Sequence, residues 1–156
     1  FCLAAPDSLS GVPAFQRRIL QSTPGKELRT AELHRLRPQL ILDALIGYGL
    51  RSAPSGAFVE LIRWANRSNV TILALDIPSG LDATSGRATG EVIRPTWTLT
   101  LALPKTGLSF ENCGQLFLAD IGIPEATFRR AGIAYQSPFG KQFLVPLRCE
   151  TPDSNS

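Results

Sequence analysis

The chain has 156 residues, 44% hydrophobic and 19% charged, which is enough for one domain with a core of its own. No apolar run approaches the roughly 20 residues needed to span a bilayer, so no membrane partner is expected. The net charge of +3 comes from basic residues that are scattered and not interleaved with aromatics, which speaks against a nucleic-acid groove.

The three cysteines, Cys2, Cys113 and Cys149, are odd in number and show no Cys-x-x-Cys spacing. They point to reduced thiols in a cytoplasmic setting and give no support for structural zinc. His34 is the only histidine, which excludes a multi-histidine metal site, and beside Arg35 and Arg37 it reads as a surface residue. There is no methionine, so the chain as given is expected to be a fragment or to have lost its initiator.

In chain order, residues 1–5 read as a strand stopped by Pro6, and residues 8–21 carry Leu9, Val12, Phe15, Ile19 and Leu20 at helical spacing. Residues 22–26, with Pro24 and Gly25, form a connector, and residues 31–37 a short helix stopped by Pro38. A strand over 39–45 leads into the loop that begins at Gly47. A helix over 56–67 follows, with Ser55 as its expected N-cap, so that its free N–H groups are placed for an anion such as phosphate. Residues 70–75 are apolar and partly β-branched, which suits a strand covered on both faces. The long segment 76–95 is expected to be a functional loop. Residues 96–102 and 115–119 read as further strands and 125–131 as a short helix. Alternation of strands and helices implies an α/β fold: a three-layer, Rossmann-like domain with a mainly parallel sheet. It is expected to occupy residues 1–147, followed by a polar, disordered tail over 148–156.

The chemistry concentrates at two strand ends. Leu73-Ala74-Leu75-Asp76 runs into Ile77-Pro78-Ser79-Gly80, so Asp76 lands at the carboxyl end of a parallel strand, where open α/β sheets form their ligand crevices. Upstream, Leu40-Ile41-Leu42-Asp43 repeats the arrangement ahead of Gly47-Tyr48-Gly49. Two carboxylates at one sheet edge can converge on one pocket, and the two glycines allow close backbone approach or positive φ. From these residues alone, Asp76 is equally well read as an aspartate capping local backbone N–H groups. Lys105 is open to a reading as a surface lysine after a strand, and Asp120 as a turn cap. The third glycine of the dinucleotide fingerprint is absent, which disfavours a conventional dehydrogenase.

Together these blocks resemble the YjeF N-terminal domain family, which includes the NAD(P)H-hydrate epimerases. The matching stretches are Asp43-Ala44-Leu45-Ile46-Gly47-Tyr48-Gly49-Leu50, Asp76-Ile77-Pro78-Ser79-Gly80-Leu81-Asp82-Ala83 and Ser85-Gly86. They continue with the strand leaving through Pro104-Lys105-Thr106-Gly107 and with Gly114 to Asp120-Ile121-Gly122-Ile123-Pro124. The resemblance implies a nicotinamide nucleotide hydrate as ligand and potassium as cofactor, with Asp43 and Ser79 among its ligands. It implies a substrate-binding loop of Gly47, Tyr48, Gly49, Leu50, Arg51, Ser52 and Ala53. Asp76 is implied as the substrate-contacting carboxylate that protonates the hydroxyl on the reacting ring carbon, with Lys105 as its catalytic partner.

Two departures accompany the resemblance. The family's Asn-Asn-Gly-Gly-Asp loop has no counterpart here and is expected to fall upstream of Phe1, and Tyr48 stands where Thr is common. The chain is therefore expected to be truncated, to turn substrate over weakly or not at all, and to pair as a homodimer through surface left uncovered. The alternative on the same scaffold is a non-catalytic binding or dimerisation module.

Overall fold

The structure, a computed structural model, describes residues 9–148 and the strand Cys2–Ala4. Ser8, Cys149 and the expected tail beyond it lie outside the described residues. Strand β1 (Cys2–Ala4) pairs in parallel with β2 (Lys26–Leu28) as a small sheet of its own. The connector expected at 22–26 thus runs straight into a strand that the sequence reading missed. Between them, α1 spans Gly11–Gln21, with Pro13 in the first turn, where a missing N–H costs nothing. Arg17 forms an ion pair with Glu27, which ties α1 to β2.

The main sheet has five strands in the order β3-β4-β5-β6-β7: Leu40–Asp43, Thr71–Leu75, Trp97–Leu101, Gln115–Ala119 and Leu144–Pro146. The first four run parallel and β7 is antiparallel. With α2 (Ala57–Arg67), α3 (Phe110–Cys113) and α4 (Glu125–Arg130), this is the expected α/β, Rossmann-like architecture. The short helix expected at 31–37 is a 3₁₀ helix over Thr30–Arg35, and α3 and β7 were not foreseen. His34 is exposed, as expected.

The register sorts the side chains into two unequal faces. Pairing places Ile41, Asp43, Ala74, Thr98, Thr100, Leu116, Leu118 and Val145 on one face, all of them buried except the half-buried Ile41 and Val145. Helix α2 covers part of this face with Ile62 and Ala65, which pack against Ile72 and Ile93. Burying each larger aliphatic side chain there contributes about 1.5–3 kcal/mol. Trp64 adds a hydrogen bond from its indole Nε1 to the Leu33 carbonyl at 3.0 Å, docking α2 on the 3₁₀ helix. A second cluster packs Ile77, Leu81 and Ala83 of the 76–95 loop against Cys113 of α3 and Leu116 of β6. The opposite face is less covered. Leu40 and Leu42 are 51% and 56% exposed, and Leu73, Leu75, Leu99 and Phe117 are only half-buried. Strand 71–75 therefore alternates buried and half-buried positions, contrary to the expectation of burial on both faces.

The 76–95 loop is ordered by its own backbone. Leu81 bridges Ala88, Ile93 N donates to Ser79 O at 2.9 Å, and Asp82 N donates to Arg87 O at 2.9 Å. Gly80 is the tightest point, with φ at 96° and a backbone so close that a Cβ would collide with the Glu91 carbonyl oxygen. Gly47, by contrast, has no positive φ and nothing within 4 Å of where a Cβ would stand. Gly80→Ala should lower stability by about 2–4 kcal/mol, combining left-handed strain with overpacking. Gly47→Ala should stay within about 0.5 kcal/mol of wild type. Urea denaturation of the two variants checks both, and equal effects would contradict the assignment.

Candidate functional site

Asp43 closes β3, and Ser79 sits in the turn after β4. The register sets Asp43 beside Ala74, which brings the two residues to one edge of the sheet. Both are buried, Asp43 at 2% exposure and Ser79 at 0%. Ser79 donates twice to the one carboxylate, from its backbone N to Oδ2 at 2.8 Å and from Oγ to Oδ1 at 2.6 Å. Ser79 Oγ in turn accepts from Ile46 N at 2.9 Å. The third donor to Asp43 is Leu45 N at 3.4 Å. All these partners are neutral, and burial pushes the Asp43 carboxyl above its ordinary value. Its oxygens, Ser79 Oγ and the Ile46 carbonyl are hard donors of the kind that suits an alkali cation, though they form only part of a shell. Among the described residues no three His, Cys, Asp or Glu side chains gather as a metal cluster.

Asp76 follows β4 directly in a left-handed conformation, φ 69°, which aspartate tolerates better than most residues. Its N–H donates to Leu99 O at 2.8 Å, so the turn stays locked onto β5. The side chain is 25% exposed. Oδ1 accepts from Leu101 N at 3.0 Å and from Thr100 Oγ at 3.4 Å, and it forms an ion pair with Lys105. Lys105 Nζ also donates to Thr100 Oγ at 3.2 Å and to the Leu101 carbonyl at 2.9 Å. Lys105 is thus brought onto Asp76 rather than left on the surface. Asp120 accepts from Gly122 N at 2.8 Å, the turn-capping role expected of it.

The loop over 47–53 is tethered at its start, where Ile46 binds Ser79, and near its end, where Ala53 lies against Gly90. Between these points Gly47, Tyr48, Gly49, Arg51, Ser52 and Ala53 are exposed and Leu50 is half-buried. Gly47 and Gly49 do not take positive φ, so of the two readings their lack of a side chain allowed only close backbone approach stays open: this loop bends without the left-handed region. Ser55 does not cap α2 either. Gly56 occupies the N-cap position at φ 55°, with no side chain closing the first turn, because the chain reverses there through a left-handed step.

Sequence reading missed Thr100 and the Leu101 amide as parts of the site. The available signal was the alternation Thr98, Thr100 within a strand of otherwise apolar residues, since buried hydroxyls need partners.

The chain matches the family described as YjeF-related protein N-terminus over residues 3–107. It is 47% identical over 148 residues to an NAD(P)H-hydrate epimerase of Dehalogenimonas lykanthroporepellens, a match covering 94% of this chain and 60% of that protein. It is 41% identical over 86 residues to Enhancer of mRNA-decapping protein 3 of Xenopus laevis, covering 55% of this chain and 15% of that one. The chain therefore spans less than two thirds of the length of these relatives. The crystal structure of yeast ynu0 superposes with a TM-score of 0.71 at 18% identity, covering 94% of this chain and 65% of that one, which shows a shared fold.

The buried Asp43 carboxyl carries a pH signature. Its raised value means the folded state holds the proton more tightly than the unfolded chain. That contribution to stability is complete below the ordinary value of 3.8 and is lost as pH rises through the raised one. Urea denaturation between pH 4 and 7 should show this loss in the wild type and not in Asp43→Asn. Parallel pH profiles would contradict it.

Proposed function

The chain belongs to the YjeF-related N-terminal family, and from that premise we propose that it binds a nicotinamide nucleotide hydrate and that Asp76 exchanges the proton that epimerises it. In this reaction the lone pair of the ring nitrogen expels the hydroxyl as water, and water returns to the opposite face of the ring. Oδ2 of Asp76 gives a proton to the departing hydroxyl and takes one from the returning water, a general acid–base contribution of about 10²- to 10⁴-fold. The single observation that carries the reading is the Asp76–Lys105 pair at the carboxyl edge of a parallel sheet. The epimerase relative at 47% identity supports the substrate class.

The exposed residues Gly47, Tyr48, Gly49, Leu50, Arg51, Ser52 and Ala53 form the substrate-binding loop in this reading. Asp43, Ser79 and the Ile46 carbonyl would hold potassium. The ion would supply the positive charge that the buried Asp43 lacks among its described partners. The reduced cysteine pattern favours the cytoplasm, and no described helix is long and apolar enough to cross a membrane. A second reading, a non-catalytic binding module, is favoured by the match to the decapping-enhancer relative.

Two measurements test these proposals. Chromatography of the two hydrate epimers of NADPH should show weak interconversion in potassium chloride and less in tetramethylammonium chloride. Asp76→Asn should slow it by about 10²-fold or more, with little change in thermal midpoint. Hydrate binding without interconversion would overturn the catalytic reading in favour of the second one, and an active Asp76→Asn would remove Asp76 from the chemistry. The uncovered sheet face and the exposed Val12, Phe15 and Ile19 of α1 favour a homodimer. Light scattering at micromolar concentration should give twice the chain mass, and a monomer would contradict it.

A further inference from the structure

The geometry points to Thr100 as a positioning residue that holds Oδ1 of Asp76 and so leaves Oδ2 as the one carboxylate oxygen that meets the substrate. This inference rests on the catalytic reading of Asp76. Oδ1 is engaged three times, by Leu101 N, Thr100 Oγ and Lys105 Nζ. No hydrogen bond within the described residues reaches Oδ2, and the side chain is partly exposed. The two oxygens are thus unequal before any ligand arrives.

Lys105 cannot serve the substrate directly in this arrangement. An ammonium has three N–H donors, and here they go to Asp76 Oδ1, Thr100 Oγ and the Leu101 carbonyl. Lys105 therefore acts through Asp76, as a second positioning residue. Thr100 links the two charges, accepting from Lys105 and donating to Asp76 through one hydroxyl. It is wholly buried, at 0% exposure, where an isosteric valine would fill the same space without a polar group to satisfy.

Thr98 provides the internal comparison. It is equally buried and lies on the same face of the same strand, but its hydroxyl donates to the Cys113 carbonyl at 2.7 Å, a neutral backbone partner away from the pair. One buried threonine of β5 serves the fold and the other serves the charged pair.

The test uses the full chain with Thr100→Val, Thr100→Ser and Thr98→Val. With the NADPH hydrate epimers as substrate, Thr100→Val should lower kcat by about 10- to 100-fold while KM changes by less than about threefold. Thr100→Ser, which keeps the hydroxyl, should recover most of that loss, and Thr98→Val should reduce stability while sparing kcat. The carbon-13 chemical shift of the Asp76 carboxyl at one fixed pH reports its hydrogen bonding and needs no turnover. It should move in Thr100→Val and stay in place in Thr98→Val. A chain that does not epimerise the hydrate would defeat the catalytic reading, while the chemical shift would still decide whether Thr100 holds Asp76. A wild-type chemical shift and kcat in Thr100→Val, or equal effects of the Thr98 and Thr100 substitutions, would overturn the inference.

Discussion

Asp43 and Ser79 form the joint on which the upper edge of the sheet depends. One buried carboxylate accepts both the backbone N–H and the hydroxyl of Ser79, so the end of β3 is stitched to the turn that leaves β4. The same hydroxyl accepts from Ile46, which fixes where the exposed 47–53 loop starts. Removing either partner would strand buried polar atoms, and each such orphan costs about 1–3 kcal/mol. The carboxylate is therefore held by geometry even though burial works against its charge.

Asp76 lies three residues before Ser79 and is organised in the opposite way. It is partly open to solvent, takes the left-handed conformation, and is fastened to the neighbouring strand by its own N–H and by Oδ1. Ala102, just past the end of β5, is also left-handed at φ 64°. Two non-glycine residues in this region on adjacent strand ends mark a place where backbone strain is tolerated, as it commonly is beside functional groups. The ion pair with Lys105 links these two strand ends.

The two faces of the main sheet have different roles. The face carrying Ala74, Thr98, Thr100 and Leu118 is the core, and its hydroxyls are satisfied from within. The face carrying Leu40, Leu42 and Leu99 stays partly open and apolar. Position in the pleat, not hydrophobicity, separates these residues, since leucines occur on both sides.

Much of this was legible in the sequence. The β-former runs gave strands close to Thr71–Leu75, Trp97–Leu101 and Gln115–Ala119, because short apolar segments bounded by Pro and Gly leave few other options. Asp43 and Asp76 stood out because carboxylates at strand ends break an apolar pattern. Other features needed the tertiary structure. β2 and β7 have three residues each and too little pattern to read, and both exist only through pairing with a distant strand. The cap on α2 was misread because Gly56, rather than Ser55, makes the turn into the helix. The resemblance paired Lys105 with Asp76, but that Thr100 bonds to both members of this pair was equally hidden. A strand pattern tells which residues share a face, but register alone decides which side chain from the next strand stands opposite each one.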